Sequence, residues 1–206
     1  MKSIIIPNSV TTMGSTIFER CSELTSVTLP DSLGNIGTGM FDGCANLTDI
    51  MIPSTVKEIG SRSFKNCRSL TNIIIPNSVV KIGNSAFEGC SALEEVIIGN
   101  SVTSINDLAF SGCSDLKRIE IPNSVTHLGG SVFCDCSNLQ EITIGNSVTS
   151  IGLSAFSGCS KLINVNIPNS VKSIGSNAFV RCSSLTKIDI PNSVTSIGSS
   201  AFCRCN

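Results

Sequence analysis

Residues 179–201 read "FVRCSSLTKIDIPNSVTSIGSSA", and the same pattern runs from one end of the chain to the other. Leu185-Thr-Lys-Ile188-Asp-Ile190 alternates apolar and polar residues at its end, the period of a half-buried strand. Pro191 has no N–H to give to a ladder and fits best at a strand end, and Asn192-Ser193 supplies turn chemistry. Val194 and Ile197 flank a second short extended piece. Gly198 is then expected to turn the chain, with a positive φ as the reason for glycine there. The remaining stretch, Ser-Ser-Ala-Phe-x-x-Cys, is too short for a helix and predicts a turn or a single 3₁₀ turn.

The period is 23 residues. Phe18, 41, 64, 87, 110, 133, 156, 179 and 202 are evenly spaced, and a Cys follows each by three residues, from Cys21 to Cys205. Taking Phe as position 0, position +6 is Leu from Leu24 to Leu185. Positions +9 and +11 are aliphatic, and +12 is Pro except at Gly99 and Gly145. Position +19 is Gly except at Asn106. No insertion interrupts the period, which predicts one domain over residues 1–206 with no linker. A single unit cannot bury its apolar side. Stacking successive coils puts Phe on Phe, Cys on Cys and Ile on Ile, and pairs the strands in parallel about 4.8 Å apart. The expected fold is a right-handed superhelical solenoid of about nine repeats, mostly parallel β with short turns or 3₁₀ segments. The chain enters and leaves in mid-repeat, so the array reads as uncapped at both ends and as a segment of a longer one.

The pattern Leu-x-x-Ile-x-Ile-Pro-Asn-Ser-Val-x-x-Ile-Gly-x-x-Ala-Phe-x-x-Cys resembles the BspA-like leucine-rich repeats over the whole chain. One departure is that the Asn or Cys usual three residues after the strand's last aliphatic is here Ser or Thr (Ser124, Ser147, Ser170), so a buried Asn ladder is not expected. The resemblance implies a cell-surface or secreted protein of bacteria or protists that binds host matrix or other cells.

Composition narrows the chemistry. Hydrophobic residues make up 41% of the chain, and the aromatic 4% is all Phe, which suits a small aliphatic core. A net charge of -1, scattered basic residues and no free aromatic ring argue against nucleic acid. No apolar run approaches the roughly 18 residues that cross a bilayer, and "MKSIIIPNSV" is too short in its apolar part for a signal peptide. Eleven cysteines stand in the chain, nine on the ladder plus Cys134 and Cys203. Equivalent thiols in a row define no disulfide pairing and read as small buried hydrophobes, and their free state leaves a cytoplasmic location open. The C-x-C pairs Cys134/Cys136 and Cys203/Cys205 lie three rungs apart, too far to converge on one metal. His127, the one histidine, occupies a position that elsewhere holds Asn35, Glu58 or Lys81, which marks a solvated site without a triad. Asn46-Leu-Thr48 is a glycosylation sequon that matters only in a secretory host. No catalytic, cofactor-binding or metal-binding residue is therefore nominated.

The informative positions are those the repeat leaves free. Side chains alternate along a strand, so +8 and +10 point away from the core. Position +10 puts Met51, Ile74 and Ile97 on three successive rungs, flanked at +8 by Asp49, Asn72 and Glu95. An apolar patch on the concave sheet reads as a binding surface for a protein, a host matrix or cell-surface protein being the partner the resemblance implies. The expected function is a non-enzymatic recognition module. Self-association, end to end or through the concave face, is an alternative use of the same surfaces. A structural spacer is the second reading, and a thiol redox or metal protein the third.

Overall fold

The structure, a computed structural model, describes residues 1–205. Each interior repeat contributes one turn of a β-solenoid with two short parallel strands and no helix, and the first and last turns contribute one strand each. The first strand covers positions +8 to +11, as in Ser26–Thr28, Asn72–Ile75, Glu95–Ile98 and Arg118–Glu120. The second covers +17 and +18, as in Lys81–Ile82, Ser104–Ile105 and His127–Leu128. Every pairing is parallel and joins equivalent residues of successive repeats, such as Ser3↔Ser26, Ile74↔Ile97 and Lys81↔Ser104. The first strands line one face in three ladders, interrupted on either side of the Asn72–Ile75/Glu95–Ile98 pair, and the second strands line another face in two ladders.

The core lies between these faces. In one central repeat it comprises Phe87, Cys90, Leu93, Val96, Ile98, Val102, Ile105 and Ala109, all buried. The alternation predicted for the first strand is present: Asn72–Ile75 reads exposed, buried, exposed, buried. The nine Phe rings form a continuous offset stack, with neighbouring centroids 5.1 Å apart at Phe64–Phe87 and 5.7 Å at Phe110–Phe133, within 15° of parallel throughout.

The segment around Phe is a chain of turns and not a 3₁₀ helix, for a backbone reason. The residues at −2 and +2 are left-handed in every repeat: Ser85 (φ 56°) and Gly89 (φ 72°) flank Phe87, and Leu108 (φ 59°) and Gly112 (φ 71°) flank Phe110. Amides therefore alternate in direction. Ser85, Phe87 and Gly89 donate to Asp107, Ala109 and Ser111 of the next rung, whereas Ala86, Glu88 and Cys90 donate three residues back within their own rung. Two successive i→i−3 bonds never occur there, so a 3₁₀ segment cannot form.

Gly198 also corrects the sequence reading. Neither it nor the equivalent Gly60, Gly83, Gly129, Gly152 and Gly175 has positive φ. Glycine is needed because the coils touch: a Cβ at Gly129 would lie 2.4 Å from the Asp107 amide nitrogen, and one at Gly198 would lie 2.3 Å from that of Ser176.

At +14, where other leucine-rich repeats carry Asn, the hydroxyls of Ser32, Thr55, Ser124 and Ser170 bond the preceding rung, whereas those of Ser78 and Ser193 are buried without a partner. Ser124 Oγ donates to Val102 O at 2.7 Å and Ser170 Oγ to Val148 O at 2.6 Å. Asn occupies the exposed turn instead, where Asn77 Oδ1 accepts from the Asn100 amide and Asn123 Oδ1 from the Asn146 amide, both at 2.8 Å.

Candidate functional site

The first-strand face carries the residues singled out from the pattern. Met51, Ile74 and Ile97 are 83%, 61% and 50% exposed, although their strand neighbours Ile50, Ile73 and Val96 are buried. Ile74 and Ile97 are register partners, as are Asn72 and Glu95. Asp49, Asn72 and Glu95 are exposed beside them. Beyond Ile97 the next two residues of the row are Glu120 and Thr143, so the apolar stripe ends sharply.

Shallow depressions follow this face. One of about 320 Å³ is lined by Met51, Ile74, Asp49 and Asn72 together with Pro76. The next, about 490 Å³, runs from Ile74 and Ile97 to Glu120. Glu120 borders two further depressions, one towards Asn123 and Asn146 and one towards Arg118 and Glu141. Glu120 was not among the residues nominated from the sequence. The only signal there was a carboxylate at a +10 position immediately after three apolar ones.

Four ion pairs join adjacent rungs. Lys117 Nζ lies 2.7 Å from Glu94 Oε2, Lys81 Nζ 2.9 Å from Glu58 Oε1, and Lys65 Nζ 2.9 Å from Glu88 Oε2. Arg118 turns to Glu141, with Nε 3.6 Å from Oε2. Among the described residues, Asp49, Glu95 and Glu120 have neither an ion-pair nor a hydrogen-bond partner.

The thiols form a separate, internal array, and all eleven are free. From Cys44 to Cys205, each ladder thiol donates to the Phe carbonyl of the preceding rung, as in Cys90 Sγ to Phe64 O at 3.1 Å. The cysteine is thus more than a small hydrophobe: it closes the turn onto its neighbour. Burial pushes the thiols of Cys44, Cys90 and Cys182 up to about 12 and that of Cys113 well above the ordinary range. A thiol held neutral in this way is a poor nucleophile and a poor metal ligand. Cys134 and Cys203 lie at half-buried and exposed positions. His127 is exposed on a second strand. Among the described residues no group of three or more His, Cys, Asp or Glu side chains stands close enough to hold a metal ion. Among the described residues no helix is long and apolar enough to cross a membrane.

The family model for the BspA-type leucine-rich repeat region matches residues 1–117 and 80–206, in six copies. The chain belongs to the BspA-type leucine-rich repeat family. A leucine-rich repeat protein from Bacteroides ovatus is 28% identical, with a TM-score of 0.57 over 99% of this chain and 76% of its own. A leucine rich cell surface protein from Faecalibacterium prausnitzii is 27% identical, with a TM-score of 0.57 over 100% of this chain and 77% of its own. The T. pallidum leucine rich repeat protein, at 26% identity, gives a TM-score of 0.64 over 90% of this chain and 78% of its own. Comparison with curated proteins found no match. In this BspA-type array the repeat accounts for the Phe, Cys, Leu and Gly positions as packing. The residues it leaves unexplained are the apolar stripe and the carboxylates around it.

Proposed function

We propose that this BspA-type chain is a non-enzymatic recognition module of a cell-surface protein, binding another protein through its first-strand face. The observation that carries the reading is the exposed stripe Met51–Ile74–Ile97, three successive rungs on a rigid parallel scaffold. Contiguous exposed apolar surface of this kind is characteristic of interfaces, and a solenoid offers it on a surface that moves little on binding. A surface location is supported by the similarity to a leucine rich cell surface protein of Faecalibacterium prausnitzii.

The test separates folding from binding. Met51→Ser, Ile74→Ser and Ile97→Ser together remove no buried side chain, so the circular dichroism spectrum and thermal midpoint are expected to stay close to those of the parent. Binding in a screen of matrix and cell-surface proteins is expected to fall at least tenfold for any partner that uses the stripe. A partner bound by parent and triple variant with equal affinity sinks the assignment of this face.

A further inference from the structure

The carboxylates around the apolar stripe specify the chemistry of what binds there. Among the described residues, the carboxylates in no ion pair or hydrogen bond are Glu23, Asp42, Asp49, Glu95 and Glu120; Asp42 lies near Lys65, Arg62 and Asn66, whereas Asp49, Glu95 and Glu120 border the stripe. Other acids are matched: Glu58, Glu88, Glu94, Glu141 and Asp189 each face a Lys or Arg. Asp31, Asp107 and Asp115 accept hydrogen bonds, from Asn8, the Gly130 amide and Asn138. The one cation at the edge, Arg118, is 3.6 Å from Glu141, on the side away from Glu95. Repeat drift that scattered charges at random would not gather three unmatched carboxylates within four successive rungs, beside the only three-rung apolar run in the +10 row.

We propose that the Met51–Ile74–Ile97 stripe receives a protein segment that is both aliphatic and basic, its apolar side chains covering Ile74 and Ile97 and its Lys or Arg groups meeting Asp49, Glu95 and Glu120. This rests on the recognition role argued above and names its partner's chemistry. Glu120 is the central contact, because three adjoining depressions share it. An apolar contact of this size holds the segment, while the unmatched acids steer and select it, since complementary charge governs specificity and encounter more than raw affinity. An acidic segment meets three like charges and is rejected.

Two synthetic peptides of equal length test this on the intact chain, one of Leu and Lys in equal number and the other of Leu and Glu. Fluorescence anisotropy is expected to give binding of the Lys peptide at least tenfold tighter, weakening as salt rises. The variant Asp49→Asn, Glu95→Gln, Glu120→Gln is expected to lower Lys-peptide affinity about tenfold, as three partly exposed pairs would contribute. The control Glu23→Gln is expected to leave it unchanged. Equal binding of the two peptides, or no loss in the triple variant, overturns the charge assignment while leaving the recognition role standing if the Ser triple variant still loses its partners. A dimer in sedimentation that the Ser triple variant abolishes also overturns it, because the occupant is then a second copy.

Discussion

A methyl group at Gly129 would sit 2.4 Å from the Asp107 amide nitrogen and 2.5 Å from the Asn106 carbonyl carbon, both backbone atoms that cannot turn aside. At Gly34 the same methyl group would meet nothing within 4 Å, and its φ lies outside the left-handed region. Two glycines of one chain therefore predict opposite signs. Gly129→Ala must push one coil off the next and is expected to cost about 2 kcal/mol or more, in the range of forced overpacking. Gly34→Ala narrows the unfolded ensemble without strain and is expected to stabilise by about 0.5 kcal/mol. Urea midpoints of the two variants check both signs. Gly129→Ala as stable as the parent would mean the rungs are not in close backbone contact there.

At the scale of one turn, the Phe–Cys segment joins backbone alternation to thiol chemistry. The buried ladder thiols from Cys44 to Cys182 are held neutral by burial, and the sign of their pH effect follows. The ordinary thiol value is 9.0, and Cys90 is pushed up to about 12. Above pH 9 these buried thiols lose their protons in the unfolded chain and keep them in the folded one. Stability is complete below pH 9 and falls as pH rises from there to about 12, by about 1.4 kcal/mol per pH unit for each thiol so shifted. Thermal scans between pH 8 and 11 are expected to show this descent. A thiol reagent at pH 8 is expected to modify Cys203 quickly and the buried ladder only as the chain unfolds; prompt modification of all eleven would show the ladder to be open. Much of this turn was legible from spacing alone: Phe and Cys three apart at every period must fall on one buried side, and the +8/+10 alternation placed Met51, Ile74 and Ile97 outside. What spacing did not reveal were the two left-handed residues beside each Phe. Thirteen of those positions carry side chains, including Thr16, Leu108 and Arg62, types that do not announce positive φ. The Gly at +19 was legible as a necessity but not in its cause, because close approach of two backbones depends on how neighbouring coils stack. Glu120 was missed for a similar reason: its lack of a partner shows only when every other carboxylate's partner can be seen.

Across the whole molecule, the identity of period and register makes the repeat itself the unit of substitution. Each ladder pair joins residues one period apart, from Ser3↔Ser26 to Ile174↔Ile197. Removing residues 146–168, one full period, joins Gly145 to Asn169 and leaves each Phe above a Phe and each Cys above a Cys. The shortened chain is expected to fold with the same circular dichroism per residue. Because each repeat contacts only its neighbours, the denaturant slope is expected to fall by about a tenth, in step with the surface buried, and stability by one repeat and one interface. Removing residues 146–157 instead places the Phe-bearing turn of one coil against the strand of the next, and folding of everything beyond Gly145 is expected to be lost. The full-period deletion also leaves residues 49–120 in place, so binding of the Lys-bearing peptide is expected to match the parent, whereas deletion of residues 54–76, which removes Ile74 and brings Met51 beside Ile97, is expected to weaken it while folding survives. Analytical denaturation and peptide titration on these three variants separate the roles of lattice and face. If the full-period deletion unfolded, or if it lost peptide binding while folded, the repeats would be coupled over more than one neighbour and the face could not be treated as a local site on a regular rod.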